Sequence, residues 1–222
     1  MSVLEPRVVI VDFGLGNLYS VRQACTKAGF TADISSSPKS ISEADAVILP
    51  GVGAFGDAMA ALHRLDLVSA LRDVAASEKP LIGVCLGMQL LMSESFEFGH
   101  HKGLNIIPGA VKRFEDPSEG ERRLKIPQIG WNRIRSFNGS SQWNSSLLRG
   151  IHENEYMYFV HSYIVDPADK NIILSTSRYG QIEFCSSFQK NNIFACQFHP
   201  ERSGYWGIRM YENIAVLLDR PA

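Results

Sequence analysis

The stretch Pro80-Leu81-Ile82-Gly83-Val84-Cys85-Leu86-Gly87-Met88-Gln89 constrains this chain more than any other. A short apolar run ends in one cysteine, with a glycine two places before it and another two places after. Leu86, Gln89, Leu90 and Leu91 then have the spacing that starts a helix. The pattern predicts strand, tight turn and helix, with a nucleophile at the bend. This is the elbow of a Gly-x-Ser-x-Gly segment with sulfur in place of oxygen. Glycines let neighbouring backbone come close without a Cβ clash. Unpaired N–H groups at the helix start favour a thiolate and a developing oxyanion. Taken alone, the segment also fits a small core cysteine between two turn glycines.

A second stretch tips the balance: Phe194-Ala195-Cys196-Gln197-Phe198-His199-Pro200-Glu201-Arg202-Ser203. An apolar strand delivers a histidine, and a carboxylate follows two residues later. A cysteine nucleophile needs a base to take its proton, and that base needs a third group to hold its ring. Cys85, His199 and Glu201 fill the three roles in chain order. By itself His-Pro-Glu is as easily a solvated turn.

The 222 residues suit one α/β domain with a substantial core. A net charge of −1 gives no electrostatic footprint for nucleic acid or a membrane surface. No apolar run approaches the length of about 18 residues needed to span a bilayer. No signal peptide is read at the N-terminus. Cys25, Cys85, Cys185 and Cys196 include no Cys-x-x-Cys pair, which suits free thiols in a reducing cytoplasm. Cys185 and Cys196 could lie on neighbouring strands. His100-His101 lacks companions for a metal site and reads as surface loop, so no metal and no cofactor is expected.

Read in order, Arg7–Asp12 is a buried first strand, and Asn17 caps a helix that stops at Gly29. The Gly14-x-Gly16 between them lacks the third glycine of a dinucleotide fingerprint. Thr31–Ile34 and Ala44–Leu49 follow as strands. The second ends in Pro50-Gly51-Val52-Gly53-Ala54-Phe55-Gly56-Asp57. Such a glycine-rich strand end can bring backbone to a ligand and aim N–H groups into an oxyanion hole, with Leu86 as the other donor. Helical spacing returns through Ala58, Met59 and Leu62, then Leu67, Leu71 and Val74. Alternating β and α over the first hundred residues predicts a parallel, doubly wound sheet with helices on both faces.

After Gly99 the texture changes. Strands are expected at Ile106–Phe114, Ile126–Ile134, Tyr156–Val165, Ile172–Tyr179, Ile182–Phe188 and Ile193–Phe198. Tyr179-Gly180-Gln181 reads as a hairpin turn. Glu115–Arg123 and Asn138–Ser141 read as loops. An amphipathic helix carrying Ile208, Tyr211, Ile214, Ala215 and Leu218 closes the chain.

Gly83–Gln89 together with Gln197–Glu201 resembles the class I, triad-type glutamine amidotransferases. Further segments resemble, within that family, the glutaminase subunits of imidazole glycerol phosphate synthase. They are Asp12-Phe13-Gly14-x-Gly16-Asn17-Leu18-x-Ser20, Pro50–Phe55, Pro127-x-Ile129-Gly130-Trp131-Asn132 and Tyr158–Tyr163. The resemblance implies a flavodoxin-like, mostly parallel central sheet with helices on both faces, plus a small antiparallel region in the C-terminal half. It implies one amidotransferase domain over residues 1–222 and hydrolysis of L-glutamine to glutamate and ammonia. It also implies a heterodimer with a (β/α)8 cyclase subunit that takes the ammonia for histidine biosynthesis. Implied site residues are the catalytic Cys85, His199 and Glu201, the oxyanion donors Val52, Gly53 and Leu86, and the glutamine contacts Gly51, Gly53 and Gln89. Asn17, Trp131, Tyr158 and Arg202 are implied at the partner face, with Arg202 where the family often has Lys.

The chain argues for a partner independently. About two hundred residues make a glutaminase fold and leave nothing for an acceptor domain. Ammonia released into water becomes ammonium, which is no nucleophile, so another protein must receive it through a dry route. Trp131 and Tyr158 suit such an interface, aromatics being enriched there, or an ordinary core. Segments Glu183–Ser187 and Ile193–Cys196 also resemble glutaminases serving sugar amidotransferases of surface polysaccharides. A stand-alone γ-glutamyl hydrolase and a non-catalytic binding subunit are the readings of other classes.

Overall fold

The computed structural model describes residues 6–139 and 141–218. In chain order, β1 (Val8–Val11) leads to α1 (Leu18–Lys27), β2 (Ala32–Ser35), α2 (Pro38–Glu43), β3 (Ala46–Gly51), α3 (Phe55–Arg64), α4 (Leu67–Ala76), β4 (Leu81–Cys85) and α5 (Leu86–Leu90). Short strands follow: β5 (Met92–Ser95), β6 (His101–Lys102), β7 (Ile107–Arg113), β8 (Ser118–Glu119), β9 (Arg122–Arg123), β10 (Gln128–Arg133) and β11 (Arg135–Ser136). Then come β12 (Tyr156–His161), β13 (Tyr163–Pro167), β14 (Ile173–Tyr179), β15 (Ile182–Lys190), β16 (Ile193–Cys196) and α6 (Gly204–Leu218).

The central sheet has eight strands in the order β11-β14-β15-β16-β4-β3-β1-β2. From β16 to β2 all neighbours are parallel, and from β16 to β11 all are antiparallel. Strands β1 and β3 are buried at every residue, as a strand covered on both faces must be. Their side chains alternate between two cores. Val9, Val11, Val47 and Leu49 pack with α2, α3 and α4, while Val8, Ile10, Ala46 and Ile48 pack with α1 and α6. The expected cap is present, Asn17 Oδ1 accepting from Ser20 N at 3.3 Å. The hairpin turns at Gly180 between β14 and β15 as expected.

The expected fold is present, with small antiparallel sheets beside the central one, and the structure refines it in four places. Because β16 enters beside β4, its hairpin partners β15 and β14 extend the central sheet. The helix after Cys85 is five residues long, since the chain turns at once into β5. Tyr156–Val165 is not one strand. It breaks at Ser162, whose carbonyl accepts from Phe114 N at 3.1 Å. β12 pairs with β10 in a two-stranded ribbon, and β13 joins the separate sheet β13-β7-β5-β6. The Glu115–Arg123 loop contains the small hairpin β8–β9. Of the expected 138–141 loop, Ser140 lies outside the described residues, and short 3₁₀ turns flank it.

Candidate active site

Cys85 ends the buried strand β4 with φ 54° and ψ −109°, a strained conformation for a residue with a side chain. Of the glycines around it, Gly87 is required by space and Gly83 is closely packed. A Cβ on Gly87 would lie 1.7 Å from the Leu49 carbonyl oxygen, and one on Gly83 would lie 3.1 Å from Met88 N. The elbow is therefore pressed against β3, with Cys85 in register beside Gly51.

β16 runs parallel to β4 and brings Gln197, Phe198 and His199 alongside it. His199 Nδ1–H donates to Glu201 Oε1 at 2.8 Å, and the two side chains are only 6% and 3% exposed. Pro200–Arg202 forms a 3₁₀ turn that folds the carboxylate under the ring. Nε2, on the ring's other side, is buried without a hydrogen bond of good geometry, yet the Cys85 sulfur is close enough to act on it as an acceptor. Burial pushes the His199 pKa down, but the Cys85 sulfur and then Glu201 outweigh it and raise it to about 10. The ring is thus a strong proton acceptor beside the thiol. The turn is also bolted to the ribbon. His199 N donates to Tyr158 O at 2.9 Å, Tyr158 N to Ser203 Oγ at 3.0 Å, and Ser203 Oγ to His199 O at 2.6 Å.

A cavity of about 400 Å3 opens over the sulfur. Of the expected residues, Val52, Gly53, Cys85, Leu86, Gln89 and Arg202 line it. Gly51 does not. It is buried beneath, where a Cβ would meet Phe13 and Leu86 at 3.0 and 3.1 Å, so it sets the shape of the elbow from below. With an α5 of five residues, the helix dipole contributes little; individual N–H groups and side chains define the site.

Sequence reasoning missed the wall residue Glu97, and it quoted Pro127, Val160, His161, Ser162 and Tyr163 only within family-like segments, with no role in the wall. Glu97 is buried, with Oε2 accepting from Phe55 N at 2.5 Å. Burial raises its pKa, opposed by Phe55 N–H and His101. The only sequence signal was a carboxylate between two phenylalanines, Phe96 and Phe98. His161 is buried and neutral. Burial pushes its pKa down to about 4, and its Nδ1–H donates to Tyr163 O at 2.9 Å. Gln89 Nε2 donates to Tyr163 O and to Gln197 Oε1, both at 3.1 Å.

Three of the four expected partner-face residues cluster. Trp131 meets Tyr158 edge-on at 6.0 Å, and the Arg202 guanidinium lies 5.1 Å over the Tyr158 ring. Asn17 is exposed at the start of α1, following the carboxyl end of β1 on the same sheet edge as the elbow. Cys185 and Cys196 do lie on the adjacent strands β15 and β16, as free thiols. Among the described residues no cluster of three or more His, Cys, Asp or Glu could hold a metal ion, and no helix is long and apolar enough to cross a membrane.

The family profile for class-I glutamine amidotransferase matches residues 9–216. The chain is 43% identical over 207 residues to imidazole glycerol phosphate synthase subunit HisH of Syntrophotalea carbinolica, covering 93% of this chain and 98% of that one. It is 45% identical over 208 residues to the same-named subunit of Chlorobium luteolum, covering 94% and 98%. Among solved structures it resembles PurLQS from Thermotoga maritima, with a TM-score of 0.72 and 18% identity over 97% of this chain and 100% of that one.

Proposed function

The chain belongs to the class-I glutamine amidotransferases, and from that premise we propose how its site works. It acts as the glutaminase subunit of an imidazole glycerol phosphate synthase, supplying nitrogen for histidine biosynthesis. The observation that carries the mechanism is the buried His199–Glu201 pair beside the Cys85 sulfur, which itself lines the cavity.

Cys85 gives its proton to His199 Nε2, and the thiolate attacks the side-chain carbonyl of L-glutamine. Glu201 holds the ring with Nε2 facing the sulfur. The N–H of Leu86 and that of Val52 or Gly53 receive the oxyanion, each worth about 3 kcal/mol. His199 returns the proton to the departing nitrogen, ammonia leaves, and a thioester remains. Water, deprotonated by His199, then releases glutamate. Glu97 pairs with the α-ammonium group of the substrate, and the Gln89 carbonyl offers a further acceptor. A buried carboxylate in the wall of an amino-acid pocket has few other uses.

The partner is a cyclase subunit in a heterodimer. Its docking face includes the β10–β12 ribbon, where Ile129 and Trp131 are 63% and 55% exposed, with Tyr158 on the same ribbon, Arg202 over the Tyr158 ring, and Asn17. Such apolar exposure beside a cavity that releases ammonia suits a dry passage between subunits. The family match over residues 9–216 supports reading residues 1–222 as one amidotransferase domain. Four unpaired thiols and a biosynthetic acceptor favour the cytoplasm. The names of the near-full-length relatives favour histidine biosynthesis over sugar amidation.

The decisive experiment is Cys85→Ala assembled with the cyclase subunit. Glutamine-dependent product formation is lost while ammonium-dependent formation persists. Retained glutamine use overturns the assignment.

A further inference from the structure

We propose that Gln197 is a further catalytic residue, whose side-chain N–H donates to the Cys85 sulfur and stabilises the thiolate. The proposal rests on the reading of Cys85 as nucleophile. Gln197 is completely buried, and its Nε2 lies 3.6 Å from Sγ.

A side-chain amide has one donor end and one acceptor end of nearly equal shape, so its orientation decides whether it helps or repels an anion. A relay fixes that orientation. The Tyr163 carbonyl can only accept, and it already takes the His161 Nδ1–H. Gln89 must turn its NH2 group toward this carbonyl, and the same group reaches Gln197 Oε1. With its oxygen engaged there, Gln197 presents its NH2 group to the sulfur. The reversed amide would set two donors face to face at Gln89 and a lone pair against the thiolate. Tyr163 also lines the cavity, so the relay runs from the pocket wall to the reactive atom.

The chemistry favours a donor here. A neutral thiol accepts weakly, whereas a thiolate accepts strongly, so the contact selects the charged form. Before reaction the S–H can point to Val160 O, 3.9 Å away. When the proton moves to His199 Nε2, the electron pair stays on sulfur and the Gln197 N–H becomes its partner. Formation of the S–C bond uses that pair and weakens the contact. Hydrolysis of the thioester returns the pair to sulfur, so Gln197 also assists its departure as leaving group.

The test is iodoacetamide labelling of Cys85 across pH in the full-length chain, with Cys85→Ala as background. All four cysteines are buried, but only Cys85 lines the cavity, and burial pushes the thiols of Cys25, Cys185 and Cys196 up, the first to about 12, which leaves Cys85 the readable one. Gln197→Met removes the donor at similar volume. It should move the midpoint of the profile up by about one pH unit, or about tenfold slower labelling on its acid side. Gln197→Glu should move it further, and Gln89→Met, which frees Gln197 to turn, less far in the same direction. Profiles of the Gln197 variants that superimpose on the parent's, in chains shown to be folded by thermal melting, overturn the proposal. Should neither Gln197 variant fold, an unshifted Gln89→Met profile overturns it. His199→Asn separates the two readings. A profile that responds to His199 but not to Gln197 sinks this inference alone, while one indifferent to His199 sinks the triad.

Discussion

Cys85 stands at the end of a strand buried at every residue, whereas Tyr158 stands on a ribbon whose alternate residues face solvent. The elbow is held by backbone pressed on backbone, and Gly87 fits only because nothing projects from its Cα. The ribbon is held by one antiparallel ladder, by the buried Met157 and Phe159 beneath it and by the hydrogen bonds of Tyr158 to the His199 turn. The two meet at one cavity. The difference teaches that the reactive atom is fixed by the parallel core, while the ribbon is free to carry exposed apolar surface for another protein.

The largest expected effect lies on the elbow side. Cys85→Ala should lower glutamine hydrolysis by at least about 10⁴-fold, read as glutamate release, while the chain still melts cooperatively. No substitution on the ribbon should approach that loss, and one that did would erase the contrast.

A pair of glycines sharpens it through stability. Gly87→Ala drives a methyl into the Leu49 carbonyl and should cost about 3 kcal/mol or more. Gly130 on the ribbon has φ 132° with nothing within 4 Å of a built Cβ, so Gly130→Ala should cost only backbone strain, about 1 to 2 kcal/mol. Equal shifts in denaturant midpoint would break the comparison.

The two buried histidines should tilt the pH–stability curve in opposite directions. His199 has its pKa raised from 6.5 to about 10, so its contribution is full below pH 6.5 and fades as pH climbs toward 10. Cys85→Ala should flatten that alkaline limb, since the sulfur is the main cause of the rise. His161 has its pKa lowered to about 4, so its contribution is full above pH 6.5 and fades as pH falls toward 4. His161→Phe should flatten the acid limb instead. Chemical denaturation at several pH values checks both.

Smaller effects concern ligands. Glu97→Gln should raise the KM for glutamine about tenfold to a hundredfold with kcat little changed, since a charge-assisted contact of about 1.5 to 3 kcal/mol is lost. Trp131→Ala should weaken cyclase binding by about 1 to 2 kcal/mol by calorimetry and leave the melting temperature unchanged. A Trp131→Ala chain that melts early would reassign this ring to the ribbon's own packing.

The contrast also explains what could be read in advance. The elbow, Asn17 at its cap, and the His199–Glu201 pair are local: each needs only neighbours within a few residues, so spacing discloses them. The missed features depend on distant chain. Glu97 is anchored by an N–H 42 residues before it, and Gln197 is oriented by Gln89, 108 residues away. Tyr156–Val165 alternates without interruption, so nothing local marks Ser162 as the point where pairing changes from β10 to β7. Gly51, implied as a glutamine contact by the resemblance, is not in the cavity lining, and the side on which a Cβ would stand faces Phe13 and Leu86.

That change of pairing at Ser162 has a mechanical meaning. Val160 and His161 belong to one plate, Tyr163 to another, and the seam between them lies in the wall of the cavity. The aperture offered to an incoming side chain is therefore governed by the angle between two plates. Were either plate to tilt, the gape would change even with every atom of the mouth unreplaced.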